Sequence, residues 1–492
     1  MSDFFNALLY HPEHPLVFYS VLFFVLFSSF YIIYAFTSQS IKWRNGLLLL
    51  FSLYFYYKVS GIAIIFLLMV ATSDFFLGKA IYFSSQKKAK KYYLIISLLI
   101  NLGLLIFFKY TNFFIKIGNE INGISDFTTL NILLPIGISF YIFKSFTYIF
   151  DLYRGTLEKP EKNYFNYVLY VSFFPNILAG PISKASDLLP QIKNKLNINS
   201  QMVGKGFFLI MCGAFKKIVV ADFLAGNLVN RVFDAPTYFS GFETLMASYG
   251  YMIQLFFDFS GYTDMVVGIA CLLGFSIAPN FNKPFSATNI TDFWRRWHMT
   301  LSVWLRDYLF SPLSLSFRKW GNTGIMLAVM ITFLICGFWH GANYTFIIWG
   351  GLHGIAMAWD ILTNKGRNKL KKRVNKGIYK AISIFITFQL LCFTFIIFRA
   401  KDVSTAISIY EKIFTSLDFS LAGKWMNLYI YPFLMMIFAL LLHYTPAKWN
   451  QILENIYIQL HWSLKAIVFV VVLVVIYQVF SSQAQPFIYL EF

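Results

Sequence analysis

Residues 16–36 read LVFYSVLFFVLFSSFYIIYAF, a run without one charged side chain. As a helix it is long enough to cross the roughly 30 Å hydrocarbon layer of a bilayer. The rest of the chain repeats the theme. Hydrophobic residues make up 58% of the 492, charged residues 13% and aromatic residues 20%. A soluble protein is about 25% charged, so there is too little charge here to coat several water-facing domains. The chain reads as an integral membrane protein, and the same composition excludes a disordered, collagen-like or disulfide-stapled one.

Asp3 and Glu13 precede the first run and no Lys or Arg does. That lacks the basic leader of a signal peptide, so the run is expected to stay in the mature protein. Further apolar segments fall near 47–57, 61–81, 92–112, 131–152, 164–180, 206–230, 242–273, 323–340, 343–362, 378–398, 426–443 and 464–481. Several are short, broken by Gly or Pro, or charged. Roughly ten to twelve true spans are expected, with other segments re-entrant or buried in the bundle. They form one membrane domain over 1–492, with a catalytic core near 130–362 and C-terminal helices and tail over 378–492.

The net charge of +19 lies in short segments between the apolar runs. Lys42–Arg44, Lys87–Lys91 and the acid-free stretch Lys365–Lys376 are the strongest clusters. The positive-inside rule makes them cytoplasmic loops and puts the N-terminus outside, with the more acidic loops near 116–129 and 402–424 external. No basic face sits on a soluble fold, so nucleic acid is not an expected partner. The cysteines Cys212, Cys271, Cys336 and Cys392 are widely spaced in apolar stretches and read as small buried hydrophobes.

Polar groups are costly inside a membrane, and they concentrate between Asp258 and His353. Of the 7 histidines, His11, His14, His443 and His461 lie near span ends, where interfacial roles suffice. His298, His340 and His353 fall within the polar region. Small residues around His340 let another group, such as an acyl chain, approach the backbone. A continuous helix would leave His353 about 220° round from His340. Either Gly341 or Gly350-Gly351 therefore breaks the helix, or one histidine alone lines the site; His340 is the choice and His353 reads as structural. A helical 294–298 would put Trp294 and Arg295 on the face of His298. Asp292 reads as a helix N-cap, and Asp258 and Asp264 as structural partners of arginines such as Arg295, Arg296 or Arg306. There is no P-loop, nucleophile elbow, HExxH or dinucleotide fingerprint, and no histidine spacing that supports a metal.

Three runs then carry a resemblance: DFSGYTDM at 258–265, ITDFWRRWHMTLSVWLRDYLF at 290–310 and GFWHGANYTFIIWGGLHG at 337–354. With FFPNILAGPI at 173–182 and FIYLEF at 487–492, they resemble the membrane-bound O-acyltransferase family (MBOAT). More narrowly they are similar to its bacterial branch of alginate O-acetyltransferase subunit I, peptidoglycan O-acetyltransferase and the D-alanyl transfer protein of teichoic acids. Where alginate-type sequences usually continue into Pro-Leu-Gly-Gly-Asn-Arg, this chain reads SPLSLSFRKWG at 311–321. The resemblance implies an all-α polytopic membrane protein, a ring of helices and re-entrant segments around a thinned core with a tunnel. It puts the essential histidine at His340 and its polar partner at His298. Trp297, Arg295, Trp339, Asn343 and His353 are the candidate tunnel residues.

The implied reaction moves acetyl from cytoplasmic acetyl-CoA, a substrate rather than a bound cofactor, to a hydroxyl of a cell-envelope or secreted polysaccharide. A periplasmic or extracellular acyl-accepting protein, or an SGNH-type transferase, is the implied partner, and a bacterial inner membrane the implied location. A neutral imidazole at His340 would accept the hydroxyl proton, and His298 would orient a group or steady the oxyanion. D-alanyl transfer to teichoic acid is the alternative acyl reaction. A proton-coupled transporter or flippase is the alternative class, weakened by the absence of an internal repeat. A third reading is a scaffold for an external enzyme, docking through Phe487–Phe492.

Overall fold

The computed structural model describes residues 8–12, 15–123 and 129–483, and the described residues form helices and turns with no strand. That follows from the solvent: a membrane offers backbone N–H and C=O groups no water, and a helix satisfies them within one segment. Six helices are long and apolar enough to cross a bilayer, or up to seven if Phe419–Leu428 and Ile430–Tyr444, bent by 95°, make one span. The six are Ile41–Phe83, Lys87–Ile121, Gly241–Leu272, Arg318–His340, Tyr344–Arg373 and Lys376–Arg399. Among the described residues two shorter apolar helices, Val21–Thr37 and Trp462–Ile476, accompany them. The first of the six runs for 43 residues, about twice what one crossing needs. A 3-10 turn at Gly61–Ala63 divides it into Ile41–Ser60 and Ile64–Phe83, each of 20 residues.

The chain packs as two compact units, Met1–Gly206 with Val266–Ala278, and Phe207–Met265 with Pro279–Phe492. In the first, Asp74 is buried and accepts Ser97 Oγ at 2.6 Å, Ser145 Oγ at 2.6 Å and Asn101 Nδ2 at 2.9 Å, which draws three helices together. The run expected as a span over 164–180 is α-helical only at Tyr164–Ser172, followed by a 3-10 turn at Phe174–Asn176. Residues beyond it are irregular yet buried, and Asn176 satisfies them: it donates to Pro181 O at 3.1 Å and Ser183 Oγ at 2.7 Å and accepts Lys144 Nζ at 3.0 Å. Irregular backbone at membrane depth survives when protein surrounds it.

The basic clusters are helical, contrary to the loops expected of them. Arg44 lies in Ile41–Ser60, fully buried, and donates to the carbonyls of Ile192 at 2.6 Å and Asn194 at 2.9 Å, closing the end of the Ala185–Lys193 helix. Lys87–Lys91 opens the next long helix, and Lys365–Arg373 ends another.

In the second unit the Tyr344–Arg373 helix begins at an Asn343 cap, and Lys376–Arg399 at an Asn375 cap. Asp258 and Asp264 pair with lysines, not with arginines as expected. Lys217 Nζ lies 2.6 Å from Asp258 and 2.8 Å from Asp222, and Lys216 Nζ lies 2.6 Å from Asp264. Both lysines stand on a π-helical stretch, Phe215–Asp222, that packs where Gly213 and Gly261 let the backbones close up. All four cysteines are free, three of them buried.

Candidate active site

The helix Gly321–His340 ends at His340, because Gly341 takes an extended backbone (φ −168°) and Asn343 starts the next helix. Of the two breaks the sequence allows, it is Gly341 that occurs; Gly350-Gly351 lies inside an unbroken helix. The glycines at 337 and 341 let the two helices pack closely. A Cβ on Gly341 would run into the Phe346 ring, and one on Gly337 into the Phe346 carbonyl and Gly350.

His340 is 5% exposed and sits among the rings of Trp339, Trp349 and Phe398 at centroid distances of 4.9, 5.1 and 5.2 Å. Three consecutive helices supply these groups. The turn at Gly341 also reverses the chain, so His353 returns to the same cluster, 4.7 Å from Trp349 and 5.7 Å from Phe395. Its Nδ1 accepts the Trp294 Nε1–H at 3.3 Å. The expectation that His340 and His353 stand on different faces holds for one helix, not for a hairpin of two.

His298 lies outside any helix. It has φ +41°, and with Lys283 it is one of two non-glycine residues with positive φ among the described residues. Left-handed backbone at such a residue costs energy and is found where the surroundings enforce it. Asn280 does so here: its carbonyl accepts Met299 N at 2.9 Å, and its Oδ1 accepts Thr300 N at 3.1 Å and Thr300 Oγ1 at 2.6 Å. The kink breaks the helical face expected to join Trp294 and Arg295 to His298. Trp294 turns to His353 instead, and Arg295 is exposed. His298 is 1% exposed and packs edge-on to Phe259 at 4.8 Å. Asn289, not Asp292, is the helix cap; Asp292 accepts Arg296 Nε at 2.8 Å.

A chain of aromatic rings connects His340 with His298. Trp297 packs on Phe395 at 5.9 Å and Phe281 at 5.2 Å, and Phe281 on Phe259 at 5.1 Å. The structure thus gathers His340, His353, Trp339 and Trp297 into one aromatic cluster, with His298 at its edge. Asn343 stays outside, half-buried, donating to Lys401 O at 2.8 Å.

Two contributors escaped the sequence reading. His443, expected at an interface, is buried; its Nε2 accepts Phe285 N–H at 3.3 Å and its ring stacks on Phe285 at 4.8 Å. Asp360 accepts the Thr291 N–H at 3.0 Å and pairs with Arg367 at 2.9 Å. His353 and Asp360, two turns apart on one helix, thereby hold both ends of the short Ile290–Trp294 helix that leads to His298. A helical i, i+7 pair of polar residues in the sequence was the available signal. Among the described residues no group of three His, Cys, Asp or Glu side chains is placed to hold a metal ion. His14 and Phe487–Phe492 lie outside the described residues.

Comparison with known proteins shows the family. The family model of the membrane-bound O-acyltransferases matches residues 51–397. The chain is 36% identical over 367 residues to a peptidoglycan O-acetyltransferase of Helicobacter pylori, covering 69% of this chain and 67% of that one. It is 36% identical over 387 residues to a probable alginate O-acetylase of Pseudomonas aeruginosa, covering 76% and 70%. A teichoic acid D-alanyltransferase of Bacillus subtilis is 31% identical over 282 residues, covering 55% and 70%. A multi-pass helical chain with a buried histidine cluster, matched over most of its length, is an acyltransferase. The chain belongs to the membrane-bound O-acyltransferase family.

Proposed function

We propose that the protein moves an acetyl group from cytoplasmic acetyl-CoA to a hydroxyl of a cell-envelope or secreted polysaccharide, directly or through an external acyl-accepting or SGNH-type partner. It does so in a bacterial inner membrane, with the N-terminus outside and the basic clusters cytoplasmic. The observation that carries this reading is the similarity, over about seven tenths of the chain, to relatives named for O-acetylation of peptidoglycan and alginate. His340, buried at a helix end among aromatic rings, supports its role as the base. An alcohol attacks a thioester once its proton is accepted, and a positioned imidazole contributes about 10²–10⁴-fold. His298, held by Asn280 in a strained backbone, is the orienting partner. The ring of helices and the tunnel belong to this same proposal, as does one catalytic domain spanning the chain.

The D-alanyltransferase relative favours one second reading, transfer of a D-alanyl thioester to teichoic acid. The test is label transfer by purified protein in liposomes. Radiolabelled acetyl-CoA is supplied as donor, with peptidoglycan strands, alginate and an SGNH-type transferase as acceptors. Transfer by wild type that is lost in His340→Ala at equal melting temperature is expected. Label that stays on acetyl-CoA, while a D-alanyl carrier thioester is consumed, would assign the second reading.

A further inference from the structure

Two buried N–H donors stand one helical turn apart on the Tyr344–Arg373 helix, the first of them on the ring that packs against His340. Trp349 is 1% exposed, and its indole Nε1 has no hydrogen-bond partner among the described residues. His353 is 0% exposed, and its Nε2 likewise has none. Because His353 Nδ1 accepts the Trp294 Nε1–H, the neutral ring carries its proton on Nε2. Nε2–H is thus a donor facing away from Trp294. The Trp349 ring separates the two histidines, 5.1 Å from His340 and 4.7 Å from His353. Native interiors seldom keep even one buried donor without an acceptor. Two such donors, one on the ring against the proposed base and one on the ring packed behind it, call for a ligand oxygen.

We propose that Trp349 Nε1–H and His353 Nε2–H form the oxyanion-binding pair of the acyl transfer. The inference rests on the acyl-transfer reading with His340 as base. As the acceptor's hydroxyl oxygen bonds to the thioester carbonyl carbon, His340 takes the hydroxyl proton. The carbonyl π pair moves onto its oxygen, and that oxyanion accepts the two hydrogen bonds. When the intermediate collapses the C–S bond breaks, and the departing thiolate takes the proton back from His340. Donors fixed on one helix in a dry site need no reorganisation during this step. Trp294 is a positioning residue: its indole N–H sets which nitrogen of His353 holds the proton.

The test uses the full chain in the liposome assay with acetyl-CoA and peptidoglycan strands. Trp349→Phe keeps the packed ring and loses the N–H. Its kcat is expected to fall about 10²–10³-fold at unchanged KM for acetyl-CoA. His353→Phe should fall similarly, and His353→Gln, whose amide restores an N–H, should recover about tenfold of that loss. Melting in detergent is followed for each variant, and Trp349→Phe decides the matter should His353→Phe fail to fold. Wild-type kcat in Trp349→Phe, or His353→Gln no better than His353→Phe, would overturn the pair. Wild-type transfer with undiminished kcat in the variants removes this inference alone. Absence of transfer by the wild type removes the acyl-transfer reading together with it.

Discussion

Gly337 and Gly350 meet backbone to backbone: a Cβ on Gly337 would stand 3.0 Å from Gly350 Cα, and one on Gly350 3.1 Å from Gly337 Cα. The helices Gly321–His340 and Tyr344–Arg373 therefore cross at two residues without side chains, the small-residue packing on which membrane helices rely. His340 and His353 each follow their glycine by one turn, so the crossing sets their approach to Trp349. Gly350→Val should force the helices apart at a cost of about 1–3 kcal/mol. It should also lower transfer by withdrawing Trp349 from His340. Gly351→Ala is the control. Its Cβ would meet only Leu334 at 3.7 Å, and it should melt within about 0.5 kcal/mol of wild type. Equal melting of the two variants in detergent would refute the crossing as described.

The left-handed backbone at His298 separates two effects that one substitution would confuse. Glycine tolerates φ +41° and alanine does not. His298→Ala should therefore melt below His298→Gly by about 1 kcal/mol. Both lack the imidazole, so both should lose transfer by a similar factor. A glycine variant that keeps full transfer would leave His298 a purely structural kink.

Lys217 is 1% exposed and holds two buried carboxylates, Asp222 and Asp258. Replacing one member of a buried ion cluster leaves charge in a medium that solvates it poorly. Lys217→Met should cost about 3–5 kcal/mol. The neighbouring Lys216–Asp264 pair is 30% and 27% exposed, and Lys216→Met should cost below about 1 kcal/mol. Paired melting curves in detergent check the contrast. A smaller loss at Lys217 than at Lys216 would contradict it.

Asp402 caps the Val403–Thr415 helix, accepting Thr405 N at 2.7 Å and Ser404 Oγ at 2.8 Å. The Thr405 amide, followed by those side-chain contacts, lowers its pKa to about 2. A carboxyl lower in the folded than in the unfolded chain stabilises fully above the unfolded value, near 4, and loses that contribution as pH falls towards 2. Asp402→Ala should cost about 0.5–2 kcal/mol at neutral pH. The gap to wild type should narrow from about pH 4 and close only below about pH 2. A gap that stays undiminished down to about pH 1 would show that the cap works without its charge.

How much of this was legible in the chain follows from the range of each interaction. Sequence by itself determined that the protein is helical and membrane-embedded, since that depends on composition and on apolar runs such as 16–36. It also singled out the polar region and the WHG run around His340 as the place to look, because those residues are contiguous. It could not foresee that His353 joins His340, since that depends on a chain reversal at Gly341 and a crossing at Gly337 and Gly350. Nor could it foresee the left-handed His298, which rests on Asn280, 20 residues before Thr300, or the burial of His443 against Phe285, 158 residues before it. Apolarity is a property of a segment, readable wherever the segment goes. A hydrogen bond between residues that are not neighbours in the chain exists only once packing has brought them within 3 Å or so, and tertiary structure alone decides that.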